Sequence, residues 1–221
     1  MSFYDGFAGE FDSKMNMYDT NKRLRLVFGE LLTEDLSGKK LLDAGCGTGW
    51  FSREAAKRGA VVTSLDVGEN ILAQAAKKCE TKRVIGDIQH TDFPDKEFDL
   101  IIATEVIEHT ADPHSAVMEM GRILKPGGVM VLTTPNRIWH FAVVLANLFK
   151  LRPYEGYENW TGWFRLKKWL KEAGLEITVM RGFHAVPFIF PWTYGLIDSA
   201  DRLGSRLGFL MVNIAVRATK K

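Results

Sequence analysis

The stretch "LLDAGCGTG", Leu41–Gly49, decides how the rest of the chain is understood. A short apolar run gives way to glycine at positions 45, 47 and 49, the pattern of a buried strand entering a tight turn. A helix of about Trp50 to Arg58, stopped by Gly59, follows. Glycines leave the backbone unobstructed, so the turn can press its amides against a ligand with the helix N-terminus beneath. Outward from there the rhythm repeats: strand "VVTSLD" (61–66), helix "NILAQAAKKC" (70–79), strand "RVIGD" (83–87) and strand "FDLIIATE" (98–105). Upstream, Leu24, Val27, Phe28, Leu31 and Leu32 share one helical face, with Asp19 or Thr20 as its cap. Downstream, Asp112 caps a helix opened by Pro113, whose core face is Ala116, Val117, Met120, Ile123 and Leu124. "KPGG" ends it and "VMVLTTPN" (129–136) is the next strand. Strands alternating with helices predict a largely parallel sheet covered on both faces.

The totals fit one domain spanning 1–221, with an N-terminal helical cap at about 1–37 and an apolar insertion or lid at about 137–165. A net charge of +2 offers no basic footprint and argues against nucleic acid. Two cysteines, Cys46 and Cys79, without metal or scaffold spacing suit a reduced, cytoplasmic setting. "MSFYDGFAGEFD" has no leader pattern, and no apolar run approaches the ~20 residues of a spanning helix. The final third is less regular. "WHFAVVLANLFKL" (139–151) is apolar nearly all round, with Arg137, Lys150 and Arg152 beside it, as suits a segment lying at a headgroup layer, a lid or a dimer helix. A second apolar stretch is "VPFIFPWTYGLI" (186–197), and "MVNIAVRA" (211–218) is expected as an edge strand.

Alone, the glycine turn also resembles a dinucleotide fingerprint, with Asp66 placed to hold a ribose. Three details turn the assignment away from NAD. The third glycine comes one position early, with Trp50 in its place; Asp43 precedes the turn and suits a cationic amino-acid portion; and Asp87 ends the third strand, where an exocyclic amine could donate to it. In order, "LLDAGCGTG", "SLD", "GDI", "FDLIIATEVIEH", "LKPGG" and "TTPN" resemble the motifs of class I S-adenosylmethionine-dependent methyltransferases. The resemblance implies a Rossmann-like seven-stranded mixed sheet with the last strand antiparallel and helices on both faces. It also implies a cofactor site of Asp43, Gly45, Cys46, Gly47, Gly49, Asp66, Val67, Asp87, Ile88 and Thr104. Asp66 would take the ribose hydroxyls, and Asp87 with the backbone at Ile88 would take adenine. Tyr4 and Phe11 are candidates to cover the cofactor.

The most unusual segment is "TEVIEH", Thr104–His109, which sets two acids and an imidazole where an apolar strand ends. Were Val106 onward helical, Glu105, Glu108 and His109 would share one face at i, i+3 and i+4. Such a set either binds a divalent cation or keeps one acid protonated beside a general-base histidine. The spacing is similar to the metal-binding element of the ubiquinone-biosynthesis O-methyltransferases and of the enzymes that methylate the terminal 2′-hydroxyl of small RNAs. That likeness implies Glu105, Glu108 and His109 as ligands of Mg²⁺, Mn²⁺ or Zn²⁺, with His109 and Glu108 as the catalytic pair. Neither His140 nor His184 stands where the RNA group has its second metal-binding histidine. The expected activity is methyl transfer to oxygen on a small or lipid-tailed phenol or catechol, with peripheral contact through 139–151 at the inner membrane face. The alternatives are metal-free N-methylation of an amino sugar or amine, and a non-catalytic cofactor-binding module at a membrane.

Overall fold

The computed structural model describes residues 6, 8–142, 144, 158–188 and 190–221. Seven strands form one sheet in the order β3-β2-β1-β4-β5-β7-β6. They are β1 (Lys40–Ala44), β2 (Val61–Asp66), β3 (Lys82–Ile85), β4 (Phe98–Thr104), β5 (Leu124–Pro135), β6 (Leu175–Phe183) and β7 (Asn213–Lys220). All neighbours pair parallel except β7, which runs antiparallel to both β5 and β6. The seven-stranded mixed sheet with an antiparallel last strand is therefore as the motifs imply.

Alternation along the strands makes two cores. Leu42, Ala44, Ile101, Ala103, Met130 and Leu132 face α5 (Pro113–Ile123) and α6 (Trp163–Glu172). On the opposite face Leu41, Leu100, Ile102, Val129 and Val131 pack with Phe28, Leu31, Phe51 and Ala55 from the N-terminal region and α3 (Trp50–Lys57), and α4 (Glu69–Ala76) joins β2 to β3. Strand β7 is apolar at successive positions because both its faces are covered: Ile214, Ala215, Val216 and Ala218 are all fully buried. That corrects the expected edge position for "MVNIAVRA". It lies between β5 and β6, and β6 is the edge.

The N-terminal region begins with a single helical turn, α1 (Phe11–Lys14), followed by α2 (Met17–Leu26), which runs on into one π turn at Val27–Leu31. Its cap is Asn16, three residues before the expected start. The Asn16 side chain accepts from the Tyr18 N–H at 3.1 Å, while Thr20 sits buried inside the helix with its hydroxyl donating to the Asn16 carbonyl. Asp112 does cap α5, accepting from the His114 N–H at 3.0 Å, with Pro113 at the first helical position. After β6 the chain forms α7 (Tyr194–Ala200) and short turns leading to β7. Of the expected lid at 137–165, residues 143 and 145–157, which include most of 139–151, lie outside the described residues. No described helix is long and apolar enough to cross a membrane.

Candidate active site

Strand β1 lies between β2 and β4, so the chain's crossovers diverge on either side of it, and the crevice beyond its carboxyl end is where open α/β sheets hold ligands. Gly45 leaves β1 at φ +65°, a conformation L side chains rarely adopt, and a Cβ there would stand 2.7 Å from Val106 Cβ, inside that side chain. Gly47 is also left-handed, at φ +52°, yet a Cβ on it would meet no atom within 4 Å. The first glycine is thus demanded by packing, the second by the turn's conformation alone, and open space lies above it. The Cys46 N–H donates to the Leu65 carbonyl at 2.9 Å and ties the turn to β2. Its thiol is buried, which pushes its pKa far up and leaves it without nucleophilic character.

Asp66, at the end of β2, accepts from the Gly47 N–H at 3.0 Å with one oxygen and from the Gly68 N–H at 3.1 Å with the other. Val67 beside it is exposed. Asp87 is exposed and accepts from the Gln89 backbone and side chain, next to the buried Ile88. Asp43 is engaged elsewhere: it is buried and accepts from the Ser52 hydroxyl at 2.6 Å, clamping α3 to β1 below the turn. Burial pushes its pKa up to about 7, with the Ser52 hydrogen bonds opposing. The contacts that cover the turn come from a residue the sequence did not single out. Asp12 accepts from the Thr48 hydroxyl (2.6 Å) and the Trp50 indole (3.1 Å) and pairs with Lys78 (2.5 Å). Tyr4 lies outside the described residues.

At the end of β4, next to Thr104, Glu105 keeps pace with β5 through its N–H to the Thr133 carbonyl and then turns sharply, at φ +53°. Only a three-residue 3₁₀ turn, Ile107–His109, follows. Glu105, Glu108 and His109 therefore do not share the α-helical face their spacing suggests. The Glu105 carboxylate accepts from Asn213 Nδ2 at 3.0 Å, on β7, and Glu108 accepts from the Thr134 hydroxyl at 3.1 Å, on β5. Among the described residues no three histidine, cysteine, aspartate or glutamate side chains gather to hold a metal ion. The expected metal set of Glu105, Glu108 and His109 is not assembled, because each carboxylate is drawn to a different strand.

What is assembled is a pair of acids with carboxylates shut from solvent: Glu108 is buried outright, and Glu105, half-buried as a residue, has its Oε1 enclosed. Burial pushes Glu105 up, helped by the charge of Glu108, while Arg23 opposes. Burial likewise raises Glu108, against hydrogen bonds from a backbone N–H and from Thr134. Arg23 reaches them from α2, its guanidinium paired with Asp19. The Asn159 N–H donates to the Glu108 carbonyl at 2.8 Å and its side-chain amide to the Thr110 carbonyl at 2.7 Å, fixing the turn from outside. Arg23, Asn159 and Asn213 were missed in the sequence, and Asp19 was read only as a helix cap. Their signal, polar residues inside otherwise apolar segments, is weak without the fold.

Residues 42–132 match a family model described as a methyltransferase domain. A ubiquinone biosynthesis O-methyltransferase from Alkalilimnicola ehrlichii is 34% identical over 179 residues, covering 75% of this chain and 72% of that one. The protein of the same name from Pseudomonas aeruginosa is 35% identical over 156 residues, covering 64% of this chain and 66%, just under two thirds, of its own length. Among solved structures, an S-adenosylmethionine-dependent methyltransferase of Thermotoga maritima, described as a possible histamine N-methyltransferase, superposes with TM-score 0.75 at 20% identity, covering 99% of this chain and 98% of that one. Another from Mesorhizobium loti gives 0.68 at 20% identity over 90% and 96%. At that identity the structural likeness bears on fold alone.

Proposed function

The chain belongs to the class I S-adenosylmethionine-dependent methyltransferases, and from that premise we propose that it methylates a hydroxyl of a small phenolic or catecholic acceptor. The donor side fits the cofactor. The open space over Gly47 suits the methionine portion, the Asp66 carboxylate at the end of β2 suits two ribose hydroxyls, and Asp87 with Ile88 suits a purine edge. When bound, S-adenosylmethionine supplies a methyl group on a sulfonium.

The observation that carries the acceptor assignment is the buried acid pair. Glu105 and Glu108 sit at the end of β4, one residue either side of the segment whose Val106 packs on the cradle. Acids pushed toward neutrality in a dry site hydrogen-bond a hydroxyl and orient its lone pair without placing two bare charges beside it. A phenol of pKa ~10 is protonated at neutral pH, so a base must take its proton; the sequence nominates His109, half-buried on the 3₁₀ turn, and the fold offers a second histidine, His184, linked to Glu105 through Asn213. The two named relatives support oxygen as the acceptor atom. Because the three metal candidates do not converge, no step runs through a cation. A lipid tail on the acceptor accords with Trp192 at 82%, Leu196 at 71% and Phe141 at 58% exposure, and would place the protein in the cytoplasm at the inner membrane face.

The test is an acceptor panel of phenols, catechols, amino sugars and simple amines, assayed by transfer of isotopically labelled methyl with and without chelator. Transfer to a catechol in both conditions is expected. Transfer confined to amines would refute the oxygen assignment. Loss on chelation, restored by Mg²⁺, would show that Glu105 and Glu108 regroup around an ion.

A further inference from the structure

Two residues with left-handed backbone, Glu105 at φ +53° and His184 at φ +55°, are joined through one side chain, Asn213. Residues bearing a Cβ seldom hold that conformation, and where they do the surroundings enforce it, often at working sites. Asn213 is buried at the start of β7. Its Nδ2 donates to Glu105 Oε2 at 3.0 Å, which leaves its Oδ1 facing His184 Nδ1 at 3.2 Å. An amide oxygen only accepts, so Nδ1 carries the hydrogen and the lone pair of the neutral ring is on Nε2.

The ring is fully buried and locked. Its centroid lies 4.1 Å from that of Phe188 and 4.9 Å from that of Phe183, and its backbone N–H donates to Asp201 Oδ2 at 3.1 Å. Nε2 has no hydrogen-bond partner among the described residues. The carboxylate oxygen facing it, Asp19 Oδ1, stands 3.8 Å away and has none either. Two acceptors held opposite each other are unfavourable until a proton comes to lie between them, which a ring protonated at Nε2 supplies. Burial favours the neutral ring, while Asp19 favours the charged one.

We propose that His184 is the proton acceptor of the methyl-transfer step, with Asn213 setting its tautomer and Asp19 stabilising the imidazolium that results. This rests on the oxygen-methylation assignment above. The acceptor hydroxyl gives its proton to Nε2 as the oxygen forms its bond to the methyl carbon. The carbon–sulfur bond breaks with its electron pair left on sulfur, the sulfonium's positive charge is replaced by that of the imidazolium, and the proton then leaves to water.

The test uses the full chain, labelled S-adenosylmethionine, and a series of catechols from unsubstituted to nitro-substituted, the latter already ionised at neutral pH. His184→Gln should lower turnover of the unsubstituted catechol about 100-fold, leave the nitrocatechol near wild type, and keep the KM for S-adenosylmethionine. An equal loss across the series would overturn the proposal in favour of a structural role. The same graded loss in His109→Gln, with His184→Gln flat, would move the base to His109. A wild type that methylates amines and no phenol would refute the acceptor assignment, and the proposal with it. Should His184→Gln fail to fold, ¹⁵N spectra of histidine-labelled wild type decide. A neutral Nδ1–H tautomer assigned to His184 supports the role, and an Nε2–H tautomer or a resting imidazolium overturns it.

Discussion

Replacing Gly45 and Gly47 separately by alanine divides what folding requires of the glycine turn from what the cofactor requires. Both residues are left-handed, at φ +65° and +52°, so each alanine carries about 1 kcal/mol of backbone strain. At Gly45 the new methyl also collides with Val106, 2.7 Å from its Cβ, which adds about 1–3 kcal/mol of overpacking. At Gly47 no atom lies within 4 Å, so nothing is added. Urea unfolding should therefore show Gly45→Ala destabilised by about 2–4 kcal/mol and Gly47→Ala by about 1 kcal/mol, with unchanged denaturant slopes. Titration with S-adenosylhomocysteine should reverse the contrast where it matters. Gly47→Ala, nearly as stable as wild type, should bind at least about tenfold more weakly, because its methyl occupies the space for the ligand, and tenfold is about 1.4 kcal/mol. Wild-type affinity in Gly47→Ala would refute the placement of the methionine portion over that residue. Equal stability of the two variants would refute the tight contact with Val106.

The buried acids give a pH signature. Burial holds the Glu105 and Glu108 carboxyls well above their ordinary 4.5 in the folded chain, so the unfolded chain loses these protons first and their contribution to stability falls as pH rises above about 4.5. Glu105→Gln should flatten that decline in urea midpoints measured at pH 5 and pH 8; an unchanged slope would mean the acid is ionised in the folded protein. Asp66→Ala should weaken S-adenosylhomocysteine about 100-fold or more in calorimetry, since two charge-assisted hydrogen bonds contribute about 1.5–3 kcal/mol each. Co-sedimentation with anionic vesicles should drop on replacing Trp192 and Leu196 by serine, and no vesicle binding by the wild type would remove the membrane from the picture.

The sheet and its order of helices were legible because they rest on local regularities: alternating apolar runs, Asp112 before Pro113, glycines where a strand stops. What misled was spacing taken as conformation. Glu105, Glu108 and His109 share a face only in an α-helix, and the left-handed turn at Glu105 followed by a 3₁₀ turn spends that register before it can act. Asn16 rather than Asp19 or Thr20 caps α2, which frees Asp19 to pair with Arg23 and face His184. Asp43, by contrast, looked like a ligand residue and is held under the turn by Ser52. No pattern in one sequence distinguishes an acid above a turn from one beneath it.

The proposed acceptor side was hidden for a topological reason. In a parallel sheet ligands meet the last residues of the strands, so a search along the sequence looks at strand ends: Asp66, Thr104, Thr133, Thr134. Strand β7 is inserted antiparallel, so the residue it brings to that same edge is its first, Asn213, paired with Pro135 of β5 and Phe183 of β6. That reversal lets Asn213 bridge Glu105, 108 positions earlier, to the histidine that follows Phe183. A strand in the usual direction would have carried its first residue to the far edge of the sheet, and the two left-handed turns would have had nothing between them. The antiparallel strand is thus what joins the donor half of the edge to the half where an acceptor would be held. Shifting its pairing with β5 by one residue would exchange Asn213 for the apolar Ile214 and, because alternate residues face opposite sides, turn its core side chains outward. Register and chemistry are fixed there by the same contact.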